Sequence, residues 1–388
     1  MKKTLSLLLA ILMLAFVLCG CSGEPVKEPV IHGHNDPQAQ GVTYKTQAEL
    51  VKAMGMGWNL GNTLDAPKGE NSWEQPTTTK EMMATLKELG YDSVRIPVSW
   101  GLHVSDAPEY LIDTDWMARV KEVVDYALEC DLIVVINSHH DNEIYFPGKN
   151  NADKALQYLS AIWTQIAEEF KDYDQNLIFE AMNEPRMENT DHEWWLDVNC
   201  KECQYAAQVV NDCNQAFVNA VRASGGNNAQ RYLLASTYCG APDSALNDLF
   251  KLPEDSANGK LMLAVHAYTP YDLAMGDNMN NKNFGQNEKN AIDWFIGRLY
   301  ESYVSKGVHV IIDEMGIINK NNPSSRYEWA KYYVTKAREK GMACMVWDNG
   351  NTEPGHESYG LFDRVNLKIF DSAECVHKGF MEAIDGEG

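Results

Sequence analysis

The chain has 388 residues, of which 45% are hydrophobic and 23% charged, an ordinary balance for a globular protein with a large core. A formal net charge of -22 argues against a nucleic-acid partner, since phosphate contacts need a basic surface. That charge suits an enzyme acting on a neutral polymer, and the 10 Trp and 18 Tyr offer flat faces that either stack on sugars or fill the core.

Lys2 and Lys3 precede an apolar run from Leu5 to Leu18, too short for a comfortable membrane span. The run closes as Leu18-Cys19-Gly20-Cys21-Ser22, which resembles a bacterial lipoprotein signal. Lipidated Cys21 would then start the mature, cell-surface protein; cleavage by an ordinary signal peptidase is the alternative. Residues 1–20 are read as the signal peptide and 21–44 as a flexible tether carrying Pro25, Pro29, Pro37, Gly33 and Gly41. His32 and His34 are expected to be solvated linker residues. Residues 45–388 form a single catalytic domain in this reading, expected to act as a monomer.

Within the domain, Thr46-Gln47-Ala48-Glu49 fits a capping box that opens a short helix through Met54. A first strand ends at Trp58-Asn59. A helix from Lys80 to Leu89 stops at Gly90, and Ser93 to Val98 is the second strand. A helix from Trp116 to Cys130 leads to strand three, Leu132 to Asn137, whose nearly unbroken aliphatic run is that of a parallel strand buried on both faces. A helix from Ala152 to Phe170 precedes strand four, Leu177 to Met182, and Cys203 to Ala223 is helical again. Tyr232 to Ser236 is strand five, with a short helix near Ser244 to Phe250. Leu261 to Ala267, Val308 to Asp313 and Ala343 to Trp347 are strands six to eight. The helices between and after them run from Asn287 to Ser305, Ser325 to Lys340 and Asp371 to Ala383. Eight aliphatic strands alternating with helices predict an α/β fold, a (β/α)8 barrel.

In such a barrel the active site gathers at the C-terminal ends of the strands. The residues at or just beyond those ends are Asn59 and Asn62, Arg95, His139 and His140, Asn183 and Glu184, His266 and Tyr268, Glu314, and Trp347. Seven of eight strands thus end in hydrogen-bonding or aromatic groups, and two of them deliver glutamates. Two carboxyls facing each other across a cleft are the equipment of a glycoside hydrolase.

The motifs Asn183-Glu184-Pro185, Val94-Arg95-Ile96-Pro97, His139-His140, His266-Ala267-Tyr268 and Glu314-Met315-Gly316 resemble those of glycoside hydrolase family 5. Gly57-Trp58-Asn59-Leu60-Gly61-Asn62, with Trp347-Asp348-Asn349-Gly350, is similar to its subfamily 4 endoglucanases, and the likeness runs from about residue 46 to 385. The resemblance implies a retaining endo-β-1,4-glucanase with Glu184 as proton donor and Glu314 as nucleophile. It further implies that Arg95 holds Glu314 ionised, that the charge of Glu314 raises the pKa of Glu184, and that Asn183 binds the sugar 2-hydroxyl. Tyr268 would hydrogen-bond Glu314 and His266 would orient Glu184. His103, His139 and His140 would line the cleavage subsite, with Asn59 in support and Trp347 as a stacking floor. Trp73 is a further stacking candidate, as are Trp58, Trp100, Trp194 and Trp195; core packing is the alternative for each. Asp313 stands where the family more often has Gly and would add a negative charge beside Glu314 unless it points into the barrel wall.

Seven cysteines follow Cys21: 130, 200, 203, 213, 239, 344 and 375. Cys200-x2-Cys203, with Cys213 downstream, looks like half a zinc site, but neither a second pair nor a His-x3-5-His completes it. A disulfide among these three stays open, and no metal or cofactor is expected. A metal-dependent barrel hydrolase built on His139, His140, His266, Glu184 and Glu314, and a non-catalytic glycan-binding lipoprotein, are the rival readings. Soluble or amorphous β-glucan is the expected substrate; xyloglucan, xylan and mannan remain open.

Overall fold

The computed structural model describes residues 41–386. The residues read as a leader (1–20), the expected lipidation site Cys21, and His32 and His34 lie outside the described residues.

The eight strands are β1 (Met56–Asn59), β2 (Ser93–Ile96), β3 (Ile133–Ile136), β4 (Leu177–Glu180), β5 (Leu233–Ser236), β6 (Leu261–His266), β7 (Val310–Met315) and β8 (Ala343–Val346). They pair in sequence order, all parallel, and β8 closes on β1 to complete the predicted barrel. The helices are α1 (Gln47–Ala53), α2 (Lys80–Glu88), α3 (Thr114–Glu129), α4 (Asn142–Tyr145), α5 (Ala152–Glu169), α6 (Lys201–Ala223), α7 (Pro242–Ala245), α8 (Tyr271–Ala274), α9 (Gln286–Ser302), α10 (Pro323–Glu339) and α11 (Glu374–Asp385). The helix expected near Ser244 to Phe250 forms earlier, because Pro242 occupies the first turn, where its missing N–H costs nothing. A small antiparallel pair, β9 (Phe362–Asp363) and β10 (Lys368–Ile369), was not foreseen. No described helix is long and apolar enough to cross a membrane.

Strand side chains alternate between two cores. Ile133, Val135, Ile178, Leu234, Met262, Ala264, Ile311, Ala343 and Met345 fill the barrel interior, and Leu50, Val51 and Met54 of α1 belong to the same cluster. Val94, Val134, Phe179, Leu263, Val310 and Cys344 point outward and pack among the helices. Thr46 caps α1 by accepting from Glu49 N at 3.1 Å, and Gln47 ties the helix to the carbonyls of Gly259 and Leu261. Just ahead of α1, Tyr44 bonds Gln175 and Asn176, while its carbonyl accepts from Tyr232 and Lys260. Beside the start of β4, Arg231 gives its guanidinium protons to Asn228 and to four backbone carbonyls; with no carboxylate among these acceptors, burial pulls it down to about 9.

Candidate active site

Following the alternation to the strand ends explains the site. Asn59, Arg95, Glu180 and His266 each fall two residues beyond an inward-facing position or its equivalent, so they form a polar layer above the aliphatic interior. β7 departs from the rule. The register shifts between Val265 and His266 and again between Ile312 and Met315. Ile311 faces inward and both Ile312 and Met315 face outward, so the irregularity puts Asp313 and Glu314 together on the inner side.

Arg95 is the hub. Its Nη1 donates to Glu314 Oε1 at 2.6 Å and to Asn59 Oδ1 at 3.0 Å. Its Nη2 donates to Glu180 Oε1 and Asn183 Oδ1, both at 2.8 Å, and its Nε to Glu180 Oε2 at 2.6 Å. All five guanidinium protons are therefore assigned, so the 3.5 Å approach of Nη2 to His266 Nε2 is a contact only. Asn59 is fully committed as well, donating to the carbonyls of Asp313 and Val346. It is a positioning residue with nothing left for a sugar.

An arginine only donates, so the atom of Asn183 that faces it is Oδ1, and the amide NH2 is left as a donor. Tyr268 donates to Glu314 Oε2 at 3.0 Å; burial first, then the Glu314 charge, keeps its phenol protonated well above the usual range. His266 Nδ1 lies 2.7 Å from Glu184 Oε1 and 3.5 Å from Glu314 Oε2. Gly240 makes room for that ring: at φ +66, a Cβ there would stand 2.8 Å from His266 Cγ.

The electrostatics correct one expectation. Burial does push the Glu184 carboxyl upward, but the hydrogen bond and charge of His266, with Arg186 and His140, outweigh it and leave Glu184 below its ordinary value. His266 moves the other way. Burial opposes its charge, yet the charge of Glu314 and the hydrogen bond to Glu184 raise it to about 9. The two groups share one proton near neutrality. Burial and the Glu180 charge raise Asp313 well above the carboxylate range, against Arg95 and His266 each 3.7 Å from one of its oxygens, and so favour its neutral form beside Glu314; neither oxygen has a hydrogen-bond partner among the described residues.

Above this layer runs a track of rings. Trp347, 8% exposed, lies parallel to His139 at 5.9 Å; His139 meets His140 at 4.4 Å; His140 meets Trp73 at 5.4 Å. Gly61 lets Trp347 lie flat, since a Cβ there would be 2.8 Å from the indole. Burial first, then the charges of His140, Arg95 and His266, holds His139 neutral. Its Nδ1 accepts from Asn137 Nδ2, leaving the proton on Nε2. His103 does not join them. It stacks on Trp116 of α3 at 3.9 Å, and no hydrogen bond ties it to either glutamate. Trp58 and Trp100 are core, donating to Asp348 and the Asn137 carbonyl. Trp194 and Trp195 are 53% and 62% exposed, and Trp73 is 41% exposed.

Two residues escaped the sequence reading. Glu180 is the second carboxylate on Arg95; its two-residue spacing from inward Ile178 was the available signal. Glu357, at φ +55 on the loop after β8, bonds Asn349, and burial together with the charges of Glu314 and Glu184 raises it. No strand periodicity points to it. Glu184, His266 and Glu314 could each offer an atom to a cation within 4.8 Å, as could Asp65, His139 and His140. The first trio is already bonded to itself and to Arg95. A separate recess of about 630 Å³, lined by Pro270, Tyr271 and Asn280 among others, contains neither glutamate.

A parallel barrel whose strand ends bring two glutamates within 4.8 Å, under a ledge of aromatic rings, defines a glycoside hydrolase. The chain belongs to glycosyl hydrolase family 5: the Cellulase family model matches residues 55–353. It is 41% identical over 81% of its length to Endoglucanase A of Ruminococcus albus, covering 87% of that protein. It is 40% identical over 95% of its length to Cellulase/esterase CelE of Acetivibrio thermocellus, of which it spans only about half, 46%. Among solved structures, a family 5 lichenase from Caldicellulosiruptor sp. F32 in complex with cellotetraose is 40% identical, with a TM-score of 0.83 over 88% of this chain and 96% of that one. A GH5-4 broad specificity endoglucanase from Clostridium acetobutylicum is 38% identical, with a TM-score of 0.81 over 87% and 99%.

Proposed function

We propose that the chain is a retaining endo-β-1,4-glucanase that cuts internal bonds of soluble or amorphous β-glucan by double displacement. One observation carries the stereochemistry. Oxygens of Glu184 and Glu314 lie within 4.8 Å of each other, which fits the spacing of about 5–5.5 Å in retaining enzymes and not the roughly 6.5–9.5 Å of inverting ones.

In the first step the Glu314 carboxylate attacks the anomeric carbon as the glycosidic C–O bond breaks, and Glu184 protonates the departing oxygen. The proton comes from the one that Glu184 shares with His266 across 2.7 Å. In the second step water attacks the glycosyl-enzyme, Glu184 takes its proton, and Glu314 is released. Arg95 and Tyr268 each hold one oxygen of Glu314, fixing the carboxylate for in-line attack. Asn183, turned by Arg95, offers its NH2 to the sugar 2-hydroxyl, a contact that strengthens in the transition state. Trp347, His139, His140 and Trp73 make the wall along which the glucan lies.

The relatives named endoglucanases and the cellotetraose and cellotriose complexes of similar structures support a β-1,4-glucan. The leader reading alone carries the further part of the proposal, that the enzyme acts outside the cell as a monomer anchored through a lipidated Cys21. The test is product release from carboxymethylcellulose, barley β-glucan, xyloglucan, xylan and mannan, with Glu314→Ala in parallel. A glucan cut by the native chain and not by the variant upholds the proposal. Cleavage of xylan or mannan alone overturns the substrate, and no cleavage at all favours a glycan-binding protein.

A further inference from the structure

We propose that His192, Cys200 and Cys203 form a zinc site that pins the loop between β4 and α6. The fold brings one ligand atom from each within 4.8 Å of the others, which the sequence spacing alone does not announce, since His192 belongs to no recognisable ligand motif with the cysteines. Ligands around a tetrahedral zinc stand about 3.5–3.8 Å apart, given bonds of about 2.0–2.3 Å, so closure takes no more than about 1 Å of side-chain movement.

Three further observations point to a ligand. His192 Nδ1 is buried and has no hydrogen-bond partner among the described residues, an arrangement that a metal would satisfy. Cys200 caps α6, and its Sγ is fixed there by accepting from the Cys203 backbone N–H at 3.5 Å. All three backbones are anchored. The His192 carbonyl accepts from Tyr238 at 2.7 Å, Cys200 N donates to the Asp197 carbonyl at 3.0 Å, and Cys203 is buried in the core. Two sulfurs and an imidazole suit zinc and not calcium or magnesium, which take oxygen. A fourth ligand would come from water or from Asp197, an exposed residue whose backbone carbonyl bonds Cys200 N. Binding releases the two thiol protons to solvent.

The loop so fixed is functional. Residues following His192 hold Arg186, with Glu193 Oε1 3.3 Å from its Nε and the Trp194 ring 4.4 Å from its guanidinium, and Arg186 reaches Glu184 Oε2 at 3.4 Å. The zinc site does not depend on the glucanase reading.

The test is zinc content by mass spectrometry of the purified full chain, followed by cadmium titration of the reduced, metal-free protein, read by the sulfur-to-metal charge-transfer band. One metal per chain is expected, with affinity rising steeply with pH because two protons leave. Cys200→Ser and His192→Gln, both at partly exposed positions, should each weaken binding about tenfold or more and leave the protein folded. Cys203→Ser is the control for the buried ligand. The proposal is overturned by a Cys200–Cys203 disulfide in the isolated protein, by reduced protein that binds no metal, or by one-to-one binding that these substitutions leave unchanged.

Discussion

His266 and Glu184 are joined by a 2.7 Å contact between Nδ1 and Oε1, and the pair divides one proton at neutral pH. The charge of Glu314 pulls that proton toward the imidazole, while burial of both partners opposes the separated charges. An acid catalyst with a lowered pKa is adequate under these conditions, because its neighbour stores the proton it donates.

The alkaline limb of activity follows from this store. His266 is raised to about 9, so kcat/KM should fall as pH rises through about 9, when the pair loses its proton. In His266→Asn, Glu184 titrates without a partner and the limb should move to lower pH. Stability should follow the same group: its contribution is full below about pH 6.5, the ordinary histidine value, and is lost as pH rises through about 9. Thermal melts of both proteins across that window check the sign. A native melting temperature that rises with pH there would contradict it.

Arg95 sits between two buried carboxylates, so its loss leaves both unpaired. Arg95→Met should destabilise the barrel by about 3–5 kcal/mol in denaturant unfolding and abolish measurable turnover. Adding Glu180→Gln should recover much of the stability and none of the activity, because Glu314 still lacks its anchor. Recovery of both together would mean that Arg95 serves the fold alone.

Asp313 is neutral in this account, so Asp313→Asn should be mild. Its kcat/KM should stay within about tenfold of native and its stability within roughly 1 kcal/mol, with the pH profile unmoved. A large loss of activity or a shifted profile would show that an ionised Asp313 takes part.

Most of the fold was legible because each barrel strand is a short aliphatic run that stops abruptly at a polar residue. Glu184, Glu314, His266 and Tyr268 were found that way, and the structure joins them through the contacts the resemblance implied. The pattern fails where the strand is irregular. A strict two-residue alternation puts Asp313 and Glu314 on opposite faces, and only the shift in β7 puts them side by side. Loops are less readable still. Glu357 comes under the charges of Glu314 and Glu184, and His103 stacks on Trp116, for reasons of loop path that no periodicity encodes. The proton balance of Glu184 needed the distance to His266 as well as the identity of the neighbours.

Asn183 gives a kinetic prediction. Its NH2 contact matters most in the transition state, so Asn183→Ala should lower kcat by ~10²–10³-fold, equivalent to several kcal/mol, with little change in KM. Steady-state kinetics on cellotetraose would separate the two. A rise in KM at constant kcat would assign Asn183 to ground-state binding.

The central claim is double displacement through two close glutamates, and proton NMR of the first product formed from a cello-oligosaccharide tests it most directly. The account predicts that the new reducing end appears as the β-anomer, with the α-anomer growing in later by mutarotation. An α-anomer as the initial product would mean a single inverting displacement, and would contradict the roles given to Glu184 and Glu314.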